Sequence, residues 1–161
     1  MKAIIMAAGV GTRLQTLNIN KPKCLITVGS ETLIRRSVNL LINKGISDIT
    51  VIVGFMAHLI RNELNNDVAY FENPDFQTTN SIKSLWYAKD LLEGDVLLLN
   101  GDLYYEHDIL DYAINQTNPV VMLADSTRID NADYRFGFSG NLINRFGKHL
   151  TNQETNGEYI G

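Results

Sequence analysis

The residues best suited to chemistry in this sequence lie in two basic segments near the start of the chain. Residues 7–14 read Ala-Ala-Gly-Val-Gly-Thr-Arg-Leu, and residues 21–25 read Lys-Pro-Lys-Cys-Leu. Small residues leave backbone N–H groups uncovered, so a loop containing Gly9 and Gly11 can form a nest for phosphate oxygens. The Arg13 guanidinium adds a fork of hydrogen-bond donors. The pattern indicates a site for a small, highly charged anion such as a triphosphate.

A carboxylate follows a buried apolar run later in the chain. Asn100, Gly101 and Asp102 come directly after the aliphatic residues 96–99. An aspartate at the carboxyl end of a parallel strand is well placed to hold Mg²⁺, which favours one or two carboxylates plus phosphate oxygens. An aspartate in an ordinary turn is the simpler alternative. Because the glycine loop also follows a predicted strand, both features are expected at one edge of a sheet, which favours the metal.

Two common phosphate-binding loops do not fit residues 9–14. A dinucleotide-binding loop needs a third glycine soon after the second and an acidic residue after the second strand, but residues 12–14 and 54–55 supply neither. A P-loop needs Gly-Lys-Ser/Thr, which does not occur. The simplest alternative is that Gly9 and Gly11 only form a turn.

The elements that must position these residues alternate between apolar runs and helical patterns. Runs that are apolar on successive residues predict buried parallel strands at residues 3–6, 49–53, 68–71, 96–99 and 120–123. Apolar spacings of three and four predict helices over residues 31–44, 57–64, 81–92 and 108–115. This alternation indicates a layered α/β fold with right-handed crossovers. Residues 134–138 and 142–146, joined by Ser-Gly-Asn, predict a hairpin or an excursion at the edge of the sheet.

Composition narrows the classes of protein that the chain could be. Its 161 residues, 45% hydrophobic and 20% charged, suit one globular domain over residues 1–161. The net charge of -4 disfavours a nucleic-acid coat protein or a polybasic membrane binder, although residues 1–30 hold four basic side chains and no acidic one. The lone Cys24 and the lack of a long apolar run predict a cytoplasmic protein.

Together these motifs resemble those of the nucleotidyltransferase (pyrophosphorylase) superfamily, which acts on sugar 1-phosphates and alcohol phosphates. Residues 72–76 (Glu-Asn-Pro-Asp-Phe), 79–86 (Thr-Asn-Ser-Ile-Lys-Ser-Leu-Trp) and 97–102 (Leu-Leu-Leu-Asn-Gly-Asp) are more similar to cytidylyltransferases that act on phosphocholine and related phosphorylated alcohols or phosphonates. The resemblance covers essentially the whole chain and implies a three-layer Rossmann-like fold with a mainly parallel central sheet. Members continue beyond a segment like residues 157–161, so we expect a fold truncated at its C-terminus.

The resemblance also implies how the nucleotide would be held. The implied nucleotide-binding positions are Ala7, Ala8, Gly9, Gly11, Thr12, Arg13, Lys23, Asn80 and Ser81. Lys23 would stabilise the α phosphate, because an ammonium at about 4 Å contributes on the order of 4 kcal/mol at an effective dielectric constant near 20. Arg13 would act on the leaving pyrophosphate. Asn80 and Ser81 would meet the base, although Asn80 is equally suited to cap the following helix.

Further positions are implied for the metal and the acceptor. Asp102 would bind Mg²⁺ between the nucleotide and the acceptor phosphate. Glu158 would contact polar groups of the acceptor, with a solvated strand glutamate as an equal alternative. Asn73 is a weaker candidate for a base contact, and Lys21 is either a surface lysine or a phosphate contact. The attacking phosphate is already anionic, so no general base is required.

Aromatic residues raise two further expectations. If the acceptor is phosphocholine, its trimethylammonium group should lie against aromatic rings, for which Tyr104, Tyr105 and Tyr134 are candidates that could equally be ordinary packing. Ile82 and Trp86 stand four residues apart, which predicts a stripe facing the core.

The sequence therefore predicts a Mg²⁺-dependent enzyme that transfers a cytidylyl group from CTP to a small phosphorylated alcohol such as phosphocholine and releases pyrophosphate. One alternative is a uridylyl- or thymidylyltransferase acting on a sugar 1-phosphate, and another is a non-catalytic nucleotide-binding regulatory module. The predicted partners are a nucleoside triphosphate and a phosphorylated acceptor, with no nucleic acid or membrane; the oligomeric state is left open. The superfamily usually completes its metal site near the C-terminus, so residues 1–161 alone could be inactive.

Overall fold

The computed structural model describes residues 1–11, 21–127, 129–130, 132 and 134–160. The chain forms two compact units, Met1–His107 and Asp108–Gly161, and each has its own sheet. None of the described helices combines the length and the apolar character needed to cross a membrane.

The first unit alternates strands and helices. Its elements are β1 (Lys2–Ala7), β2 (Thr27–Val28), β3 (Glu31–Thr32), α1 (Leu33–Asn43), β4 (Ile49–Val53), α2 (Ala57–Leu64), β5 (Ala69–Glu72), α3 (Ser81–Tyr87) and β6 (Val96–Asn100). Four of the strands form a parallel sheet in the order β5-β4-β1-β6. In this sheet Ile5 lies between Val51 and Leu99. The carboxyl ends of β1 and β6 are therefore neighbours.

Both faces of this sheet are covered, as the continuous apolar runs predict. On one face Ile4 and Ile52 pack with Ala88. Successive side chains on a strand point to opposite faces, so Ile5 and Val51 belong to the other face, and they are also fully buried. The arrangement is the predicted layered α/β fold, and the bounds of the first four predicted strands are confirmed within one or two residues. The predicted burial fails at β5, which lies at the edge of the sheet and has no buried residue.

Helix α1 begins two residues later than predicted. Glu31 and Thr32 pair with β2 as a short hairpin instead. Thr32 then caps α1, because its Oγ1 accepts a hydrogen bond from the Arg35 backbone N at 3.2 Å. The helix ends at Asn43, within one residue of the predicted end, and Gly45 follows with a φ of +78°, which suits the end of a helix.

The predicted core stripe on α3 is wrong. Ile82 is 76% exposed and Trp86 is 60% exposed, and the Lys89 ammonium lies over the Trp86 ring at 5.1 Å. The helix turns its Ser84 side inward. It is also shorter than predicted, since the chain continues as a 3₁₀ helix over Lys89–Leu92.

The second unit is built on an antiparallel sheet. Its elements are α4 (His107–Ile114), which begins at the unit boundary, β7 (Ala124–Asp125), β8 (Arg135–Ser139), β9 (Leu142–Gly147), a 3₁₀ helix at Asn152–Glu154, and β10 (Gly157–Tyr159). The strand order is β7-β10-β8-β9. The predicted hairpin is confirmed, and Gly140 in its turn has a φ of +58°.

The predicted parallel strand at residues 120–123 is wrong. Within the part of the chain that the structure describes, a strand begins only at Ala124, and it pairs antiparallel with β10. Val120 is 81% exposed. An apolar run specifies a preference for burial, but the strand also needs a neighbour with matching hydrogen-bonding groups, and the run itself does not specify that neighbour.

Candidate functional site

A cavity of about 230 Å³ opens at the carboxyl edge of the parallel sheet, where β1 and β6 end. Its walls come from the ends of these two strands, from Gly9 and Gly11, from residues 22–24, and from Ser81. We call it the charged cavity, because Lys23 and Asp102 both line it. This is the edge at which open α/β sheets bind ligands.

Gly101 brings Asp102 close to the end of β1. The Gly101 backbone N donates a hydrogen bond to the Met6 backbone O at 2.9 Å. A Cβ at this position would lie 3.1 Å from both the Ala7 Cβ and the Met6 O. A larger residue would therefore crowd Ala7, and either β1 or the β6 end that carries Asp102 would have to shift by a few tenths of an ångström.

Lys23 reaches the same cavity from a short 3₁₀ helix, Lys23–Leu25. Cys24 and Leu25 are buried and anchor this turn, while the Lys23 side chain remains 49% exposed. The Lys23 Nζ lies 2.6 Å from the Asp102 Oδ2. The structure thus brings together the ammonium and the carboxylate that the sequence analysis singled out.

This ion pair is weak enough to exchange partners. The Asp102 side chain is 33% exposed, and ion pairs in such surroundings contribute roughly 0–1 kcal/mol to stability. A triphosphate offers the lysine several anionic oxygens at once, and a divalent cation offers the carboxylate a stronger partner. The pair can therefore open toward a ligand at little cost.

The glycine loop is described only in part. Gly11 has a φ of +62°, a backbone conformation that favours glycine, and a Cβ on Gly9 would meet no atom of the described residues within 4 Å. These two glycines add no side chain to this wall of the cavity, which suits an anion nest. Thr12 and Arg13 lie outside the described residues. Among the described lysines, Lys23 lines the cavity, and Lys21 does not.

A second cavity, of about 210 Å³, adjoins the first and shares Met6, Gly9 and Ser81 with it. Its remaining walls are Ala8 and a group from the segment that leads into α3: Phe76, Thr79, Asn80 and Ser84. We call it the neutral cavity, because none of the described residues that line it is charged. The predicted base-binding residues Asn80 and Ser81 both lie here.

Asn80 caps α3 and faces the cavity at the same time. Its Oδ1 accepts a hydrogen bond from the Lys83 backbone N at 3.0 Å, so the N-cap interpretation is correct. Its amide nitrogen is the polar edge that a ligand in the neutral cavity could meet. The two roles are compatible.

Sequence reasoning missed Phe76, Thr79 and Ser84 as cavity residues. Phe76 packs so closely on Gly54 that a Cβ on this glycine would lie 2.6 Å from the Phe76 Cβ. The nearness of Thr79 and Ser84 to Asn80 in sequence was the available signal. Gly54 and Phe76 lie in the loops that follow β4 and β5. A single sequence gives no sign that these two loops are in contact.

Cys24 lines the charged cavity but is not a nucleophile. Burial, reinforced by the negative charge of Asp102, raises the pKa of its thiol to about 12. At neutral pH the thiolate that would attack is essentially absent.

Two of the three aromatic candidates contact other side chains of the protein. The Arg36 guanidinium lies over the Tyr104 ring at 4.7 Å. Tyr134, in the second unit, contacts the rings of Phe136 and Tyr159 edge-on at 6.2 and 6.4 Å. At Tyr105, the backbone O accepts a hydrogen bond from Arg36 at 3.0 Å.

Glu158 lies in the second unit, on β10. It stands opposite Asp125 on one neighbouring strand and Arg135 on the other.

Asp102 fits a magnesium ion better than it fits a structural transition metal. No group of three or more His, Cys, Asp or Glu side chains suited to a metal occurs among the described residues. A single, partly exposed carboxylate beside an anion-binding cavity matches the needs of Mg²⁺, which takes most of its ligands from water and phosphate.

The family model described as "Nucleotidyl transferase" matches residues 2–137 of the chain. A choline-phosphate cytidylyltransferase from Streptococcus pneumoniae is 50% identical over 101 residues, which are 61% of this chain and 43% of that protein. A CTP:phosphoglutamine cytidylyltransferase from Campylobacter jejuni is 29% identical over 135 residues, which are 79% of this chain and 53% of that protein. The chain thus spans about half the length of these relatives.

The fold has a counterpart among solved structures. The inositol-1-phosphate CTP transferase from T. maritima superposes with a TM-score of 0.79 at 19% sequence identity. The match covers 99% of this chain and 68% of that one.

Proposed function

The chain belongs to the nucleotidyl transferase family, and from that premise we propose that it carries the nucleotide-binding half of a cytidylyltransferase. The proposed reaction transfers a cytidylyl group from CTP to a small phosphorylated alcohol such as phosphocholine and releases pyrophosphate. The observation that carries it is the pair of adjoining cavities, one charged and one neutral, at the carboxyl edge of the sheet.

Each of the two cavities would hold a different part of the nucleotide. A triphosphate fits the charged cavity, where the Lys23 ammonium and the bare backbone at Gly9 and Gly11 provide positive charge and N–H groups. A nucleobase fits the neutral cavity beside Phe76 and Asn80. The ribose would then lie at the junction, beside Ser81 and Gly9, which line both cavities.

The neutral cavity favours cytosine through the amide of Asn80. Because the Oδ1 already accepts from the Lys83 backbone N, the amide nitrogen is the group with both donors left for a base. Cytosine presents two adjacent acceptors, O2 and N3, to such a pair of donors, whereas the acceptors O2 and O4 of uracil are separated by the N3 donor. Both relatives described above are named as cytidylyltransferases, which agrees with a base that accepts hydrogen bonds from Asn80.

Lys23 is the residue that we assign to the transition state. Negative charge accumulates on the α-phosphate oxygens as the acceptor phosphate attacks, and a fixed ammonium stabilises that charge. The attacking oxygen belongs to an anion already, so the protein needs to align it and neutralise repulsion, and it does not need to remove a proton. The inert thiol of Cys24 agrees with a mechanism without a protein nucleophile.

Asp102 is the residue that would hold Mg²⁺. When bound, the ion would act as a Lewis acid toward phosphate oxygens. Asp102 would at the same time release Lys23 from the ion pair seen in the structure, freeing the ammonium for the nucleotide.

Pyrophosphate release tests this proposal. The chain, and separately a longer form carrying any residues that follow it in its gene, would be incubated with Mg²⁺, each of CTP, UTP and dTTP, and phosphocholine or glucose 1-phosphate. Release with CTP and the alcohol phosphate is the expected result. Release only with UTP or dTTP and the sugar phosphate would contradict the substrate, and nucleotide binding without release in either form would indicate a regulatory module.

A further inference from the structure

Asn73 is buried directly behind the neutral cavity. It follows β5, and its backbone N donates a hydrogen bond to the Val53 backbone O at 2.9 Å. Its side chain is 0% exposed and does not line the cavity. A polar amide in such a place must satisfy its hydrogen bonds within the protein, since an unsatisfied buried polar group costs about 1–3 kcal/mol.

The amide of Asn73 uses both donors and its acceptor. The Oδ1 accepts from the Asp75 backbone N at 2.9 Å, which closes a tight turn. The Nδ2 donates to the Thr79 Oγ1 at 3.0 Å and to the Ser84 Oγ at 2.8 Å. With both hydrogens of the nitrogen committed, Asn73 has no donor to offer a base, which argues against the base contact considered in the sequence analysis.

The two hydroxyls that accept hydrogen bonds from Asn73 each donate a hydrogen bond to another group. The Thr79 Oγ1 donates to the Asp75 backbone O at 2.8 Å, and the Ser84 Oγ donates to the Asn80 backbone O at 3.3 Å. Each hydroxyl hydrogen is thus directed away from residue 73. The network therefore needs a side chain at 73 that supplies two donors, and a carboxylate would reverse the polarity that it requires.

Thr79 and Ser84 line the neutral cavity at either side of Asn80. We propose that Asn73 is a positioning residue that fixes this wall and so sets the affinity for the nucleoside part of the substrate, leaving the affinity for the phosphates unchanged. The inference rests on the proposed function, because it assigns the neutral cavity to the base. Asn73 acts through Thr79 and Ser84 and touches no substrate atom.

The test compares two ligands on one variant. Asn73→Asp nearly preserves shape but removes both donors. Titration calorimetry with Mg²⁺ should show at least about a 10-fold weaker Kd for CTP, the loss that corresponds to one or two buried hydrogen bonds. The Kd for inorganic tripolyphosphate, which occupies only the charged cavity, should stay within about 2-fold of the wild-type value.

Two further variants keep the result interpretable. Asn66→Asp adds the same charge at an exposed position and should leave both Kd values unchanged. If Asn73→Asp does not fold, Asn73→Ser keeps the site uncharged and supplies only one hydroxyl, and it should show the same selective loss. A merely structural role would weaken the two ligands together.

The outcomes separate the two proposals. A wild-type chain that binds neither ligand overturns the proposed function, and this inference with it. A wild-type chain that binds CTP, together with Asn73 variants that bind CTP normally or lose CTP and tripolyphosphate in parallel, overturns the role of Asn73 alone.

Discussion

The charged and neutral cavities adjoin, yet they are stabilised in opposite ways. The charged cavity depends on a partly exposed ion pair and on bare backbone, so its groups can exchange partners easily. The neutral cavity depends on a buried amide whose three hydrogen bonds hold its wall in place. One site can therefore combine a part that reorganises around its ligand with a part that is organised before the ligand binds.

The largest effect is expected when the charges of the charged cavity are removed. Lys23→Ala and Asp102→Asn, made in a form of the protein that shows activity, should each lower turnover by at least about 100-fold, the usual loss of a transition-state charge partner. Pyrophosphate release measures this directly. Lys44→Ala is the matched control, because Lys44 is an exposed lysine at the end of α1 and lines neither cavity. Near-normal turnover in either active-site variant would refute the assignment.

Backbone crowding should separate the two cavities. Gly101→Ala moves the β6 end against Ala7 and should weaken tripolyphosphate binding by about 10-fold, whereas Gly54→Ala displaces Phe76 and should weaken CTP binding more than tripolyphosphate binding. Each variant is the control for the other, since both overpack the core at a cost of about 1–3 kcal/mol. Calorimetry with the two ligands measures the difference, and identical profiles would show that the cavities are not independent.

Stability should respond little to loss of the ion pair. Lys23→Met should change the free energy of unfolding by less than about 1 kcal/mol, because both partners are substantially exposed. Ile52→Ala, in the fully buried core, should lower it by about 2–5 kcal/mol. Urea denaturation compares the two. If Lys23→Met lowered the free energy of unfolding as much as Ile52→Ala does, the ion pair would contribute as much to stability as a buried core side chain.

The smallest effect is expected at Cys24. With its pKa raised to about 12, the thiol should remain unmodified by iodoacetamide at pH 8 in the folded chain and react only after denaturation. Burial is the main cause of the shift, so Asp102→Asn should leave the thiol unreactive. Mass spectrometry after timed labelling measures this. Rapid labelling of folded Asp102→Asn would show that the carboxylate, and not burial, controls the thiol.

Sequence reasoning succeeded where the local pattern determines the structure. Strands apolar on successive residues, such as residues 49–53, specify burial on both faces, and parallel strands place Gly9 and Asp102, which follow β1 and β6, near one edge. The hairpin of residues 134–146 follows from its turn residues. In each case the signal is carried by residues close together in the chain.

Sequence reasoning failed where the burial or pairing of a segment depends on residues far away in the chain. Ile82 and Trp86 have the spacing of a core stripe, but Ser84 faces the interior because Asn73 bonds it there. The run at residues 120–123 is apolar, but the strand begins at Ala124, where β10 provides hydrogen-bonding groups. The function of Asn73 itself depends on residues 6 and 11 positions away, which no periodicity marks.

The walls common to both cavities, Met6, Gly9 and Ser81, have a consequence for turnover. A nucleotide that occupies both cavities is held at two places by one molecule. Its affinity therefore exceeds that of its base or its phosphates alone, as for any tethered bivalent ligand. In the proposed reaction the bond between the α and β phosphates breaks as the acceptor phosphate bonds to the α phosphorus, so the base-bearing product still carries two phosphates and only pyrophosphate loses its link to the base. Pyrophosphate then keeps its contacts in the charged cavity alone, which favours its departure before the other product.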